Sequence, residues 1–391
     1  MTTNHYDALI IGAGQGGMPL AFYLAGQNKK VLVAERKHVG GSCINFGCTP
    51  TKTMAASARV AYHCLRAADY GVRVSAPRVD MAVVRERKTK IVESFRSSSR
   101  SSLEQAEGIE LADGHARFTG DHSVEVELQA GDRLRAEADL VFIDTGTRSR
   151  VPEIEGLDSA GYLTSATVMD LPEVPRHLAV IGGGYVGVEF AQMFRRFGAE
   201  VSIIHRGAHL LSREDEDVAD QVTDILRGDG IEIHTGTTPV EVRPGRDGEN
   251  TITLEGPVDR EPIRASHILV AAGRTPNSDD LGLENTAVQR TERGHVGVDE
   301  RLETAADGVY ALGDVKGGPA FTHISYDDFR ILRSNLEEPG SASTAGRMVP
   351  YVVYMDPELG RIGLSEREAS AAGLSFRVAT LQLKSVARAL E

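Results

Sequence analysis

Tryptophan is absent from this 391-residue chain, aromatic residues make up only 5% of it, and there are three cysteines. So few cysteines cannot staple a secreted scaffold; in a reducing compartment a close pair is catalytic or sensing rather than structural. Positive charge is also in deficit. The formal net charge of −13 argues against non-specific binding to nucleic acid or anionic lipid. No apolar run approaches the ~20 residues of a membrane span. Met1–Asp7 lacks the basic-then-apolar pattern of an export signal. These absences predict a cytoplasmic enzyme with neither a nucleic-acid nor a membrane partner, and no metal-ligating cluster is evident. The chain is too long for one ordinary core, so two or three domains are expected.

What is present is a repeat. Ala8–Ile11 is an apolar run, Gly12, Gly14 and Gly17 form a glycine turn, a helix follows through Leu24, and Val31–Val33 is a second strand. Glu35 lies 18 residues past Gly17, near the ~20 expected of a ribose-binding acid. The unit recurs 170 positions later. There Leu178–Ile181 is the strand, Gly182, Gly184 and Gly187 repeat the spacing, and Val201–Ile204 is the second strand. Glycine lets a backbone approach a pyrophosphate, and a helix N-terminus offers it free N–H groups. Two such units predict two dinucleotides. In the second, His205 and Arg206 replace the acid, which removes repulsion of a 2′-phosphate and adds a cation, favouring NADPH over NADH.

Cys43 and Cys48 sit inside Gly40–Lys52, just after the first turn. On a regular helix such a spacing would hold the Cα atoms about 8 Å apart, beyond the ~7 Å limit of a disulfide. The segment is therefore expected to be distorted, with Gly47 and Pro50 serving that need and Thr51–Ala61 continuing a helix. A thiolate at a helix N-terminus has a lowered pKa. Unpaired buried thiols are the alternative. Cys64, beside His63, reads as a half-buried thiol. His323 reads as a cap or core histidine. Arg85–Lys90 reads as the solvated face of a long helix that the serines at Ser97–Ser99, Ser101 and Ser102 would end.

The Gly40–Lys52 motif resembles that of the class I pyridine nucleotide–disulfide oxidoreductases. Thr145-Gly146-Thr147, Ala271–Asn277 and Ala311–Asp314 match further marks of that family. Phe321–Asp328 resembles the mercuric-reductase-like branch and the copper-reducing flavoprotein of reactive-chlorine resistance, and is unlike dihydrolipoamide dehydrogenases. The resemblance implies an α/β fold with two Rossmann-like dinucleotide-binding domains, for FAD and NAD(P), plus a partial C-terminal α+β dimerisation domain. It places the FAD domain at 1–149 and 275–338, the NAD(P) domain at 150–274 and the partial dimerisation domain at 346–391. Gly12, Gly14, Gly17, Glu35, Gly41, Ser42, Lys52, Thr145, Gly146, Gly313 and Asp314 would hold FAD. Gly182, Gly184, Gly187, His205, Arg206 and Gly273 would hold the pyridine nucleotide. Cys48 would be the sulfur against the flavin and Cys43 the interchange sulfur. Lys52 would pair with Glu189, and Tyr185 would cover the flavin until NADPH displaces it.

The third segment, with strands at Val352–Tyr354 and Arg361–Gly363 and a helix at Glu366–Ala372, stops at Glu391 without the family's His-Pro motif. The chain thus resembles a truncated member. The family's homodimer would be weakened in it, and an apolar face should be exposed at Tyr351–Tyr354. The expected reaction passes hydride from NADPH (or NADH) through FAD to a Cys43–Cys48 disulfide. Electrons then pass to a small-molecule or metal-ion acceptor such as mercuric or cupric ion. The alternatives are a dihydrolipoamide dehydrogenase-type reductase or a catalytically weak FAD-binding fragment.

Overall fold

A computed structural model describes residues 3–245, 248–257 and 261–390. Met1, Thr2 and Glu391, which bound the expected first and last segments, lie outside the described residues.

The first glycine unit folds as read: β1 (Thr3–Ile11), α1 (Gly17–Gly26) and β2 (Val31–Glu35). Then come α2 (Gly41–Asn45), α3 (Cys48–Leu65), α4 (Met81–Gln105), β3 (Ile109–Gly120), β4 (Ser123–Leu128), β5 (Arg133–Ile143) and β6 (Thr147–Ser149). Strand β1 lies between β2 and β5, parallel to both, and β2 pairs in parallel with β3. The second half of β3 and the first half of β5 flank β4 in an antiparallel meander within the same sheet. Because β1 is covered on both faces, Ala8–Ile11 reads as a continuous apolar run, and all four residues are buried.

The second unit comprises α5 (Leu157–Ala160), β7 (His177–Ile181), α6 (Tyr185–Phe197), β8 (Glu200–Ile204), α7 (Glu216–Gly228) and β9 (Glu232–His234). Strands β10 (Thr238–Pro244), β11 (Asn250–Glu255) and β12 (Ile263–Ala265) form an antiparallel sheet, whereas β13 (His267–Val270) joins β7, β8 and β9 in a parallel one. Strand β14 (Arg274–Pro276) pairs with β6, and β15 (Val309–Ala311) returns to the first sheet beside β5. The chain then enters α8 (Thr322–Glu337), the hairpin β16 (Tyr351–Val353) and β17 (Leu359–Arg361), and α9 (Glu366–Ala371).

Three local expectations are corrected. The serines do not end α4, which runs on to Gln105: Leu103 is fully buried and Arg100 forks onto Asp113 of β3, so packing overrides the weak helix propensity of serine. Nor is Arg85–Lys90 wholly solvated. Lys88 is buried and ion-pairs with Asp170 at 2.6 Å, while Arg87 donates to the Thr53 carbonyl. His323 neither caps nor enters the core: the N-cap of α8 is Phe321, and His323 is exposed, stacked on the Phe321 ring. Cys64 is half-buried and free.

Candidate active site

The helix break expected between the cysteines falls at Phe46–Gly47, so Cys48 is the first residue of α3. A side chain at Gly47 would approach the Ser42 carbonyl to 3.0 Å and Cys43 Cα to 3.4 Å. This close approach brings the two turns together, so that each cysteine is the largest influence on the other's acidity. Both are free thiols here, Cys43 half-buried and Cys48 exposed. Their acidities diverge. The hydrogen bond from Cys43, one from Thr322 and the charge of Lys52 lower the Cys48 pKa to about 6 against the opposing effect of burial. The hydrogen bond to Cys48, reinforced by burial, pushes Cys43 up. The two sulfurs titrate as a pair, with negative charge favoured on Cys48 over Cys43. Thr322 Oγ1 lies 3.2 Å from Cys48 Sγ.

The cysteine segment is tied to the first glycine turn. Gly40 N–H donates to the Ala13 carbonyl, Gln15 to the Gly40 carbonyl, and a Cβ at Gly41 would come within 2.9 Å of Gly14 Cα. Asn45 donates to the carbonyls of Val39 and Gly41 and accepts from Arg96 of α4 at 2.6 Å. Ser42 is exposed beside them. Glu35 braces the same turn: one carboxylate oxygen accepts from Ala13 N–H at 2.9 Å, the other from Lys37 and His38. Beneath the turn is a residue the sequence reading missed. Asp144, at the end of β5, accepts from Gly14 and Gly17 N–H at 3.1 and 2.8 Å, and a Cβ at Gly14 would strike it at 2.6 Å. Burial raises its pKa well above the usual carboxylate range.

Three motifs distant in sequence converge beside it. Thr147 donates to Asp314 at 3.0 Å, Arg274 to Thr147 at 2.6 Å, and Thr145 exchanges hydrogen bonds with Asn277. Gly146 and Gly273 form the turns that bring these strands together. Gly313 N–H donates to Asp328, a fully buried carboxylate that also pairs with Lys316 at 3.2 Å and Arg347 at 2.6 Å.

The second turn mirrors the first. His205 occupies the position of Glu35, and its Nδ1 accepts from Gly183 N–H at 3.2 Å as Glu35 accepts from Ala13. Burial lowers the His205 pKa, so the ring is neutral and the cation is left to Arg206, which is exposed. Gly187 packs on the Gly182 carbonyl, where a Cβ would lie 1.9 Å away. At Gly184 a Cβ would meet no atom within 4 Å. Protein packing does not require glycine there, whereas a ligand lying against the turn would. This turn, and the N-terminus of α1 at the other, fit two dinucleotides.

The two halves meet at Lys52 and Glu189, 2.8 Å apart as expected. Glu189 also accepts from Tyr354 N–H, and Lys52 lies over the Tyr354 ring at 4.3 Å. Tyr185, first residue of α6, stacks near Phe321 and Tyr351 and donates to Glu214 at 2.8 Å. On the hairpin Val353 is buried, while Val352 and Tyr354 are 42% and 51% exposed.

Comparison with known proteins is consistent with this geometry. Residues 6–328 match the model of the pyridine nucleotide-disulphide oxidoreductases, and residues 349–391 match that of their dimerisation domain. The chain is 37% identical over 390 residues to the probable pyridine nucleotide-disulfide oxidoreductase RclA of Escherichia coli, covering 99% of this chain and 83% of that protein. It is 35% identical to a mercuric reductase of Streptomyces lividans (98% and 81% covered) and 33% identical to a dihydrolipoyl dehydrogenase of Thermus scotoductus (98% and 82% covered). The solved structure of the HOCl-induced flavoprotein disulfide reductase RclA from E. coli superposes with a TM-score of 0.87 at 35% identity, covering 98% of this chain and 83% of that one. The chain therefore belongs to the pyridine nucleotide-disulphide oxidoreductase family, whose members are FAD-dependent and use NAD(P)H.

Proposed function

We propose that this enzyme reduces a Cys43–Cys48 disulfide with NADPH and passes the electron pair to a soft metal ion. The carrying observation is the placement of two free thiols across a helix break, with Thr322 Oγ1 3.2 Å from Cys48 Sγ and the Lys52–Glu189 pair on the helix that Cys48 begins; these neighbours draw the Cys48 pKa down and leave Cys43 the protonated partner. Opening the disulfide with one hydride equivalent breaks the S–S bond and yields one thiolate and one thiol. That is the protonation state this site favours at neutral pH, so no further proton is needed. FAD, when bound, supplies the two-electron chemistry between the reduced nicotinamide and the sulfurs.

The chain's own residues hold and orient. Gly12, Gly14, Gly17, Glu35, Gly41, Ser42, Thr145, Gly146, Gly313 and Asp314 would bind FAD in the domain formed by 1–149 and 275–338. Gly182, Gly184, Gly187, His205, Arg206 and Gly273 would bind the pyridine nucleotide in 150–274. Lys52, held by Glu189, and Thr322 stabilise negative charge on Cys48. A paired thiol and thiolate is a soft ligand set; re-forming the disulfide would release the thiol proton and hand the electron pair to one mercuric ion, giving Hg(0), or one electron to each of two cupric ions, giving Cu(I). Two of the relatives support this acceptor class: the Streptomyces mercuric reductase and RclA, also solved as a Cu(II) complex. The dihydrolipoyl dehydrogenase relative supports a second reading, a small disulfide. The dimerisation-domain match and the exposed Val352 and Tyr354 support a homodimer.

The test is anaerobic addition of NADPH to the FAD-loaded, oxidised protein. The expected result is a long-wavelength thiolate–flavin absorption band, absent in Cys48→Ser, with two new thiols titrated per NADPH. A protein that binds FAD and oxidises NADPH without gaining thiols would overturn the reading.

A further inference from the structure

The loop between β8 and α7 carries a buried acid that the proposed reaction does not use. Glu214 has a side chain only 3% exposed, and both of its oxygens are engaged. One accepts from the Tyr185 hydroxyl at 2.8 Å and from the Tyr351 hydroxyl at 2.5 Å; the other faces Arg361 at 3.4 Å. The loop is bent to aim it. Leu211 sits in the left-handed region at φ 47° and donates to the carbonyl of Gly183, inside the second glycine turn. A non-glycine residue so placed is strained, and such strain persists where the surroundings enforce it. Next to Glu214, Asp215 accepts from the first N–H groups of α9, and Arg367 reaches back to the Ser212 carbonyl. The loop thus binds the glycine turn on one side and the C-terminal segment on the other.

We infer that Glu214 is a latch that sets how readily the nicotinamide half of the cofactor displaces Tyr185, and that Tyr351 of the C-terminal hairpin shares the latch. This rests on the reading of Tyr185 as the ring that covers the nicotinamide position. To swing away, Tyr185 must give up its stacking near Phe321 and Tyr351 and its hydrogen bond to a buried carboxylate. A hydrogen bond to a charged group is among the stronger ones, so the closed ring dominates. A ligand that binds only the open form is weakened by the fraction of protein that is open. Tyr351 and Tyr185 donate to the same oxygen, so each weakens the other's hold on it. The C-terminal hairpin thereby tunes access to a site on the second glycine turn. Glu214 is a positioning residue: it acts through Tyr185 and touches neither sulfur.

The experiment is calorimetric titration of the oxidised, FAD-loaded protein with NADP⁺, with NAD⁺, and with an adenosine bisphosphate fragment that lacks nicotinamide. Tyr185→Phe keeps the ring and removes only the hydroxyl. Its NADP⁺ dissociation constant is expected to fall about tenfold, with the fragment's unchanged. Glu214→Gln, which keeps the size of the side chain, should shift it in the same direction by less. Tyr351→Phe should shift it the opposite way, about twofold, because Glu214 then serves Tyr185 alone. If Tyr185→Ala changes dinucleotide binding but Tyr185→Phe and Glu214→Gln do not, the latch is wrong and the covering ring survives. If Tyr185→Ala also changes nothing, the covering role itself is wrong. Equal shifts for the fragment and for NADP⁺ would show a general distortion of the domain and overturn the latch.

Discussion

The Lys52 ammonium lies 2.8 Å from the Glu189 carboxylate, joining the helix that begins at Cys48 to the helix that follows the second glycine turn. The pair is partly buried, with Glu189 11% and Lys52 33% exposed, and Glu189 also holds the hairpin through Tyr354 N–H. Lys52 is therefore a cation fixed near the Cys48 sulfur rather than a mobile surface charge.

Removing the groups that stabilise the Cys48 thiolate should raise its pKa. The Thr322 hydrogen bond contributes more than the charge of Lys52. Thr322→Val should slow alkylation of the reduced protein by iodoacetamide at pH 6 by roughly fivefold, since raising a pKa of about 6 by one unit takes the thiolate fraction at that pH from about one half to about one eleventh. Lys52→Met should slow it by less. Identical pH–rate profiles for wild type and both variants would contradict this.

Stability of the reduced protein should follow the two thiols. Cys48 falls from the unfolded value of about 8.5 to about 6 when folded, so the folded state binds fewer protons in that window. Its contribution is full above pH ~8.5 and lost as pH falls through 6. Cys43 is raised, so above pH ~8.5 its effect reverses and stability declines. Urea midpoints of the reduced protein should therefore climb from pH 6 to about 8.5 and then fall. In Cys48→Ser the climb should be lost.

Asp144 offers a test of opposite sign. Its pKa is raised by burial, so the folded state binds more protons than the unfolded state, and the group costs stability progressively above pH ~3.9. Asp144→Asn keeps an acceptor for Gly14 and Gly17 N–H and removes the charge. Its thermal midpoint at pH 8 should exceed wild type by on the order of 2–4 °C, and the gap should close toward pH 4. A gap independent of pH would count against a buried charge.

Cofactor choice should follow Arg206, because the neutral His205 braces the glycine turn instead of carrying charge. Arg206→Ala should raise KM for NADPH about tenfold, the loss of one charge-assisted phosphate contact, and leave KM for NADH unchanged. His205→Glu should move preference toward NADH. Equal effects on both cofactors would remove Arg206 from 2′-phosphate recognition.

The sequence by itself determined what depends on neighbours along the chain. The strand–glycine–helix units, the break between Cys43 and Cys48 and the run into α3 were all legible, because turn geometry and apolar runs are local. Lys52–Glu189 was legible only through a family resemblance. The serine run in α4 misled because its propensity is weak, and Leu103 and Arg100 anchor the helix beyond it. Only the tertiary structure decided the rest. Thr322 reaches Cys48 across 274 positions, Asp144 reaches Gly14 across 130, and Tyr351 reaches Glu214, the partner of Tyr185, across 137. Such partners follow no period or spacing. They meet because elements remote in sequence pack against one another, and that packing sets the hydrogen bonds and the charge from which the acidity of Cys48 follows.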